Sequence, residues 1–386
     1  MVEIKFDERS DQKMTYRNCP VCKSTEFVTS VSRSQIPILQ NRVYDTRDEA
    51  LQAPSGRLTL CTCSRCGFSY NGEFDEKLIT YDEHYNNDVP SETFERYAED
   101  IAKLLITKYN LTSGTVYDVG CGKGTFLRTL CRLAPGIKGI GIDPSCIPVE
   151  QDNFTLIQDV FRPGSFGADT KLVILRHVLE HITEPVQFLM QLAEAAPNIP
   201  LYVEVPEVNW ILKNGAFWDF CYEHCNYFSA QSLRTAMQLA GFSDIEQQPS
   251  FGGQYQWAIG VSKGRATSTE LTGLDATAAV RAYAASEDHS IGSVKRMVSE
   301  EPRTAVWGMA TKGVILACLV DGVAIGIDIN DKKQGKFAPL SGVEIAAPQI
   351  LKSRPVDTII IMNNNYEIEI RRKLAEMGVG ARVVVM

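Results

Sequence analysis

The segment VYDVGCGKGTF, residues 116–126, sets the architecture of the chain around it. A short apolar run ends in Asp118, and three glycines follow at alternate positions: Gly120, Gly122 and Gly124. An amphipathic segment, Thr125–Leu133, comes next, so the pattern predicts a strand, a tight turn and a helix. Because glycine lacks a Cβ, the backbone of this turn can approach a ligand, and the helix N-terminus offers that ligand unpaired N–H groups. We therefore expect a ligand site at the turn.

The spacing of these glycines separates two classes of ligand. Turns that bind dinucleotides favour G-x-G-x-x-G, in which the last glycine packs the helix against the sheet. Here the spacing is G-x-G-x-G after an acidic residue, which resembles the turn of class I methyltransferases that use S-adenosylmethionine (SAM). The resemblance implies a Rossmann-like α/β domain with SAM as cofactor.

Three further apolar runs follow the glycine turn and occupy residues 137–142, 154–157 and 171–175. The first leads to Asp143, placed to accept hydrogen bonds from both ribose hydroxyls, although an acid here suits NAD as well as SAM. The second leads to Asp159, which could accept a hydrogen bond from the adenine amine. The third leads to His177, which we expect to line the cofactor pocket. Across residues 115–242 this order resembles that of SAM methyltransferases.

Residues 177–181, HVLEH, also match H-x-x-E-H, an inverted form of a zinc-protease motif. On a helix the two histidines would lie four residues apart on one face. Their place directly after an apolar run of the cofactor domain favours the methyltransferase interpretation instead. In that interpretation His181 helps to pack the helix.

Composition limits the partners of the chain. Its 386 residues carry 47 acidic and 39 basic side chains, a net charge of −8, which argues against a nucleic-acid duplex or an anionic membrane as partner. No apolar run approaches the ~18 residues of a membrane span, and the charged N-terminus is unlike a signal peptide. We therefore expect a cytoplasmic protein that acts on a small molecule. In that compartment the eleven cysteines should bind metal or be buried.

Two C-x-x-C pairs predict a metal site formed by Cys19, Cys22, Cys63 and Cys66. Such pairs, the second followed by glycine, match a tetrahedral thiolate zinc site. Four thiolates leave no open coordination position, so the zinc would be structural. Cys61 is a spare that could replace Cys63, although the C-x-x-C spacing favours Cys63. A zinc ribbon that binds nucleic acid is the alternative, which the acidic composition disfavours.

An aromatic loop follows the fifth predicted strand, residues 201–206, and contains the adjacent Glu223 and His224. Open α/β sheets place their ligands at the carboxyl ends of the strands, where this loop begins. A histidine with a carboxylate partner can act as a general base near neutral pH. A satisfied core histidine is the alternative for His224. Ser229 should cap the helix over residues 230–240.

With these features the chain resembles the zinc-containing, SAM-dependent sugar C-methyltransferases, typified by enzymes that methylate 3-keto-deoxysugars carried on dTDP. The likeness implies a zinc-binding domain (residues 1–80), a SAM-dependent methyltransferase domain (81–262) and a C-terminal Rossmann-like α/β domain (263–386). It also implies a nucleotide-linked keto-sugar as substrate. In the family the histidine of the Glu-His pair removes a proton beside the ketone to give an enolate, and that role falls on His224. Cys221 stands where members of the family often have a tyrosine.

The enolate oxygen of such a reaction needs a hydrogen-bond donor. We expect Glu223 to orient the base, and Tyr222 or Tyr85 to donate to the oxyanion. Tyr85 and Tyr81 lie in a segment that either forms a lid over the cofactor and substrate or is a solvated linker. Alternatives for the whole chain are an O- or N-methyltransferase of another small metabolite and a non-catalytic, SAM-sensing or zinc-ribbon adaptor.

The C-terminal part alternates short apolar runs with helical segments, which predicts a second parallel sheet. Lys312 and the glycine-rich turn over residues 308–313 could meet a pyrophosphate. Residues 328–336, DINDKKQGK, resemble the C-terminal domain of the family, which helps to bind the nucleotide of the substrate. A purely structural Rossmann-like repeat is the alternative.

Overall fold

The computed structural model of the chain describes residues 18–80, 91–151, 153–263 and 276–386. Within these residues the strands form three sheets, of four, eight and six strands. Tyr81 and Tyr85, which we assigned to a lid or linker, lie outside the described residues. In the described part of the chain, no helix has the length and apolar character needed to cross a bilayer.

The N-terminal segment folds as an antiparallel sheet with one short helix. Its elements are β1 (Phe27–Pro37), α1 (Arg47–Leu51), β2 (Ser55–Cys63) and β3 (Ser69–Asn71). Helix α1 begins with a capping box in which Thr46 accepts from the backbone N–H of Glu49 and the Glu49 carboxylate accepts from that of Thr46. The hairpin β2–β3 carries Cys63 and Cys66 at its turn, so the pairing of these two strands also positions the second cysteine pair.

The middle segment alternates strands and helices. Its first half contains α2 (Glu92–Tyr109), β4 (Gly114–Val119), α3 (Thr125–Leu133), β5 (Ile137–Ile142), β6 (Val149–Glu150), β7 (Phe154–Ile157) and β8 (Thr170–Arg176). Its second half contains α4 (Pro185–Ala195), β9 (Pro200–Pro206), α5 (Val208–Lys213), β10 (Asn226–Tyr227), α6 (Ala230–Leu239), β11 (Phe242–Ser250) and β12 (Tyr255–Ser262). The apolar runs predicted from the sequence are therefore strands, and Ser229 caps α6 by accepting from the backbone N–H of Ser232.

The middle sheet has the order β11-β12-β9-β8-β4-β5-β7-β6. Strands β4, β5, β7, β8 and β9 run parallel, whereas β12 pairs antiparallel with β9. After β4 the chain builds outward through β5 and β7, then returns to place β8 on the other side of β4. This reversal leaves a crevice at the carboxyl ends of β4 and β8, where open α/β sheets bind their ligands.

One strand ties the N-terminal sheet to the middle segment. Strand β10 pairs antiparallel with β3, so Asn226 lies opposite Tyr70, and the backbone N–H of Asn71 donates to the carbonyl of Cys225 at 2.9 Å. Because β10 directly follows Glu223 and His224 in the chain, the sheet that holds the cysteines also fixes the loop that holds the predicted base.

The C-terminal segment forms the third sheet. Its elements are α7 (Ala276–Glu300), β13 (Thr304–Trp307), α8 (Thr311–Leu319), β14 (Ile325–Ile327), β15 (Lys336–Phe337), β16 (Glu344–Ala346), β17 (Thr358–Ile361), α9 (Glu367–Met377) and β18 (Arg382–Val385). The order is β15-β16-β14-β13-β17-β18, parallel except for β15, as the alternation of elements predicted. This sheet is joined to the middle one by buried amides, because Gln254 and Asn363 exchange two hydrogen bonds of 2.8 and 2.9 Å.

The prediction of a helix over HVLEH was wrong. A 3₁₀ turn covers only Leu179–His181, and His177 lies before it in the left-handed region with φ 55°. The backbone N–H of His177 donates to the carbonyl of Glu204 at 2.9 Å, so the chain leaves β8 through a kink held against β9. That kink changes which side chains of the motif can meet.

Candidate active site

The glycine turn forms an open cradle at the end of β4. Gly120, Gly122 and Gly124 all have positive φ, of 75°, 53° and 75°, which side chains with a Cβ rarely adopt. A Cβ on Gly120 would lie 2.2 Å from a methyl of Val178, whereas a Cβ on Gly122 would meet no atom of the described residues within 4 Å. The first glycine therefore allows close packing and the second exposes its backbone to the crevice, as a ligand that lies along the turn requires.

Asp143 lies at the end of β5, directly beside the turn. One carboxylate oxygen accepts from the backbone N–H of Gly122 at 2.9 Å, and the other accepts from the N–H and hydroxyl of Ser145, both at 2.7 Å. Asp118 is buried within β4, and burial raises its pKa to about 7, with Asp143 acting in the same direction and Arg176 against it. Asp143 thus holds the turn in shape at the position predicted for the ribose.

Asp159 lies further out, on the surface after β7. Its carboxylate accepts from the backbone N–H of Val160 at 2.8 Å and pairs with Arg162. The contact with Arg162 is the main reason that the pKa of Asp159 lies below its ordinary value. The adenine contact predicted for this residue stays a prediction.

His177 lies where β8 meets the crevice and is flanked by two acids. Its Nε2 is 2.9 Å from Oε1 of Glu204, and its Nδ1 is 3.5 Å from Oε1 of Glu180. Burial by itself would lower the pKa of His177, but the two carboxylates outweigh burial and raise that pKa to about 9. The ring also meets the edge of Tyr255, with 4.6 Å between ring centroids. His177 is therefore a cation at neutral pH, held beside the glycine turn.

A second cluster continues from Glu180 towards the aromatic loop. Ligand atoms of Glu180, His181 and His224 all lie within 4.8 Å of one another. Nδ1 of His181 is 2.8 Å from the carbonyl oxygen of Glu223, and the rings of His181 and His224 meet edge to face at 5.0 Å. The interpretation of His181 as a helix-packing residue missed this position, and the H-x-x-E-H spacing was the signal that could have found it.

The environment of His224 keeps its imidazole neutral. Burial is the main reason that its pKa falls to about 3, and the neighbouring His181 acts in the same direction. Glu180 opposes that shift, because its carboxylate favours the imidazolium. A neutral imidazole has a lone pair for a proton, and a nearby buried carboxylate stabilises the cation that forms.

Two of the predicted catalytic residues have other partners. The Tyr222 hydroxyl accepts from the backbone N–H of Asp75 at 2.9 Å, and its ring packs on Phe74, so Tyr222 contacts the N-terminal segment. Its role as an oxyanion donor stays a prediction. Glu223 is buried, and its carboxylate accepts from the backbone N–H of Gln40 at 2.9 Å. The structure brings the carboxylate of Glu180 close to His224, and the orienting role of Glu223 stays a prediction. Tyr85 lies outside the described residues.

Lys312 also differs from its predicted use. Its ammonium donates to both carboxylate oxygens of Asp219, at 2.7 and 2.6 Å, and lies 5.2 Å from the ring centre of Trp210. Asp219 belongs to the aromatic loop of the middle segment, so this lysine joins the two segments. The carboxylate of Asp219 neutralises the charge of Lys312 in this arrangement, which disfavours the predicted contact between Lys312 and a pyrophosphate.

The four predicted metal ligands come together at the edge of the N-terminal sheet. The Sγ atoms of Cys19, Cys22, Cys63 and Cys66 all lie within 4.8 Å of one another, and two of the pairs are 3.5 Å apart. A tetrahedral site with ~2.3 Å Zn–S bonds needs sulfur separations of about 3.8 Å. Backbone N–H groups of Cys22 and Arg65 also point at sulfurs, which suits thiolates. The donor set fits a closed tetrahedral metal site, and Cys61 is not part of it.

The parallel sheet and its glycine turn define the class of the protein. Residues 89–247 match the family described as a methyltransferase domain. Among solved structures, the magnesium protoporphyrin IX methyltransferase of Synechocystis is 17% identical, covering 46% of this chain and 90% of that chain, with a TM-score of 0.35. Human N-acetylserotonin methyltransferase is 15% identical, covering 44% and 55%, also with a TM-score of 0.35. The family match over residues 89–247, together with the order of the middle sheet, makes the chain a SAM-dependent methyltransferase with the class I fold.

The C-terminal segment matches a family that is described more specifically. Residues 270–386 match the family described as the C-methyltransferase C-terminal domain. The chain is also 23% identical to the C-methyltransferase NovU of Streptomyces niveus over 385 residues, which covers 91% of this chain and 90% of that protein. Both matches support the resemblance to C-methyltransferases that was drawn from the sequence.

Proposed function

We propose that this chain methylates the carbon beside the ketone of a nucleotide-linked keto-sugar. Carbon bound to hydrogen has no lone pair, so C-methylation needs a position from which a base can remove a proton to leave a stabilised carbanion. A carbon beside a ketone meets that need, because the electron pair moves onto oxygen as an enolate. The likeness to the sugar C-methyltransferases supports this substrate class, and the acidic chain is consistent with a small ligand.

His224 is the proposed base. The single observation that carries this proposal is its position: a neutral imidazole, in contact with His181 and within 4.8 Å of Glu180, on the loop beyond the carboxyl edge of β9. The C–H bond breaks, its proton goes to a ring nitrogen of His224, and its electron pair forms the enolate. Methyl transfer then requires an in-line approach, so positioning supplies much of the rate.

The cofactor would occupy the crevice between the ends of β4 and β8. Bound SAM supplies an electrophilic methyl group. On this chain the backbone of Gly122 would lie along it, Asp143 would accept from its ribose hydroxyls, and His177 would line the pocket. Asp118 and Asp159 complete the proposed set, the first through its place under the turn and the second towards the adenine.

The four-cysteine cluster is proposed to bind a structural zinc ion. Its sulfur separations, its two backbone N–H contacts and its burial support a thiolate site with no open position. The metal would join the first knuckle to the β2–β3 turn. Because β3 pairs with β10, the same metal would support the loop that carries His224.

Single-turnover methylation of a dTDP-linked 3-keto-6-deoxysugar tests the base. We expect His224→Ala to slow methyl transfer by about 10²–10⁴-fold, the usual contribution of a general base. Binding of SAM should be unchanged, and NMR of the parent's product should place the new methyl on carbon. His289→Ala, at an exposed histidine of α7, is the matched control and should keep the parent's rate.

Two results would contradict the proposal. A His224→Ala rate like that of the parent would remove the assigned base. A methyl group found on oxygen or nitrogen would replace enolate chemistry with the O- or N-methyltransferase alternative.

A further inference from the structure

The histidines of this protein are concentrated around one acid. Of the five histidines in the chain, three surround the side chain of Glu180: His177, His181 and His224. Glu180 is 1% exposed, so its carboxylate is shielded from solvent. Burial alone would raise its pKa, but these imidazoles outweigh burial and hold the pKa below its ordinary value. An ionised carboxylate therefore lies at the centre of the cluster.

Hydrogen bonds join the turn that carries Glu180 to the loop that carries His224. The Cys225 thiol donates to the carbonyl of Glu180 at 3.4 Å. The side-chain amide of Asn226 donates to the carbonyls of Leu179 and Ile182, at 3.2 and 2.6 Å. The residues directly after His224 thus clamp the 3₁₀ turn on both sides of Glu180. The distance between the acid and the imidazole is fixed by backbone contacts and not by two flexible side chains alone.

The carboxylate of Glu180 also has one oxygen to spare. Its Oε1 faces Nδ1 of His177 at 3.5 Å, whereas its Oε2 is buried with no hydrogen-bond partner in the described part of the chain. A buried, unpartnered carboxylate oxygen is costly for a fold to keep. It becomes useful if a neighbouring group acquires a proton during the reaction.

We propose that Glu180 is a positioning residue that orients His224 and stabilises its imidazolium while the enolate exists. The inference rests on the proposed function of His224 and assigns the carboxylate role to Glu180 in place of the adjacent Glu223. When the substrate proton reaches His224, a neutral imidazole becomes a cation 4.8 Å or less from Glu180. Glu180 itself stays ionised, as the buried acid of a serine-protease triad does.

The surrounding charges explain why such an acid is needed. The charged or titratable groups with the largest effects on the pKa of His224 are His181, Glu180, His177 and Lys312. His177 and Lys312 are cations and oppose a further positive charge at His224, and Glu180 favours it. Without the carboxylate, proton transfer to His224 would create a cation that His181, His177 and Lys312 all disfavour. Glu180 therefore lowers the free-energy cost of protonating His224.

The test separates proton removal from methyl transfer. With S-adenosylhomocysteine bound, the protein cannot methylate, but a working base still exchanges the proton beside the ketone for solvent deuterium. NMR follows this exchange in a dTDP-linked 3-keto-6-deoxysugar. We expect Glu180→Gln to slow exchange and kcat by about 10²-fold with KM within about threefold, because the charge is lost while the shape is kept. Glu180→Asp should recover part of the rate.

A matched control lies four residues away. Glu184 is exposed and pairs with Lys23 on the surface, so Glu184→Gln should exchange at the parent's rate. Equal SAM binding and equal thermal unfolding of Glu180→Gln and Glu184→Gln would show that the loss of exchange is not a loss of fold.

Each remaining outcome overturns a stated claim. If Glu180→Gln exchanges within about threefold of the parent while His224→Ala is inactive, the role of Glu180 is excluded and the base stands. If a chelator that leaves one zinc per chain abolishes exchange by the parent, the Glu180–His181–His224 cluster holds a metal ion, which also overturns the proposal. If the parent exchanges no proton, or His224→Ala exchanges like the parent, the proposed function itself fails.

Discussion

The four-cysteine cluster and the Glu180–His181–His224 cluster both bring ligand-type side-chain atoms within 4.8 Å of one another, yet they differ in which groups keep an unused hydrogen-bonding or proton-accepting position. The cysteines form two knuckles with backbone N–H groups aimed at the sulfurs, so the set is complete once a metal is bound. The second cluster keeps a neutral imidazole and a buried carboxylate oxygen that has no hydrogen-bond partner among the described residues. A complete set of ligands is typical of a structural metal site. A cluster with an imidazole that can accept a proton is typical of a catalytic site.

Among the substitutions that distinguish a structural cluster from a catalytic one, Cys66→Ser should cause the largest loss of stability. Loss of one thiolate removes the metal, and the N-terminal sheet should lose about 5 kcal/mol or more of stability, because metal binding and folding are coupled in such sites. Atomic emission should find one zinc per chain in the parent and none in the variant. Because β3 pairs with β10, methylation should be lost as well.

Cys61→Ser is the control for that experiment. Cys61 lies buried on β2 outside the cluster, and burial raises its pKa to about 12. This variant should keep its zinc. A zinc-free parent, or a Cys66→Ser protein with full zinc, would contradict the structural metal site.

The charge on His177 predicts a smaller effect, which depends on pH. Its pKa is about 9 in the folded protein against 6.5 ordinarily, so its stabilising contribution is complete below pH 6.5 and is lost as the pH rises through 9. The full shift corresponds to about 3 kcal/mol, and partial exposure of the ring should reduce it to about 2 kcal/mol. Denaturant unfolding at pH 6 and pH 9.5 measures this loss.

The variant His177→Gln isolates the pH-dependent contribution of His177 to stability, because the cysteines and tyrosines titrate equally in the parent and the variant. The variant should lose less stability between the two pH values than the parent does. Equal losses in the two proteins would show that His177 does not carry its charge between Glu180 and Glu204.

The smallest effect should come from Tyr222→Phe. Removing the hydroxyl leaves the backbone N–H of Asp75 without its acceptor, which costs about 1 kcal/mol. The methylation rate should stay near that of the parent, because this hydroxyl is used within the N-terminal sheet. Single-turnover kinetics decide the point, and a large fall in rate with unchanged stability would support Tyr222 as an oxyanion donor.

Much of this protein was predictable because its decisive signals are local. The glycine spacing at 120–124 determines a turn that only residues without a Cβ can adopt, and two C-x-x-C pairs determine a knuckle geometry that a metal can complete. The cap at Ser229 is a contact between residues three apart, so the sequence contains both partners. Strands and helices followed from periodicity in the same way.

The partnership of Glu180 with His224, by contrast, was decided by tertiary structure. These residues are joined because β10 pairs with β3 and because Asn226 clamps the turn after β8, contacts that span more than forty residues. Adjacency in the sequence does not report this proximity: Glu223 is next to His224 in the chain, and its carboxylate accepts from the backbone N–H of Gln40. Periodicity and spacing report on the geometry of a few consecutive residues. Which distant side chains share a buried site depends on how the sheets pack.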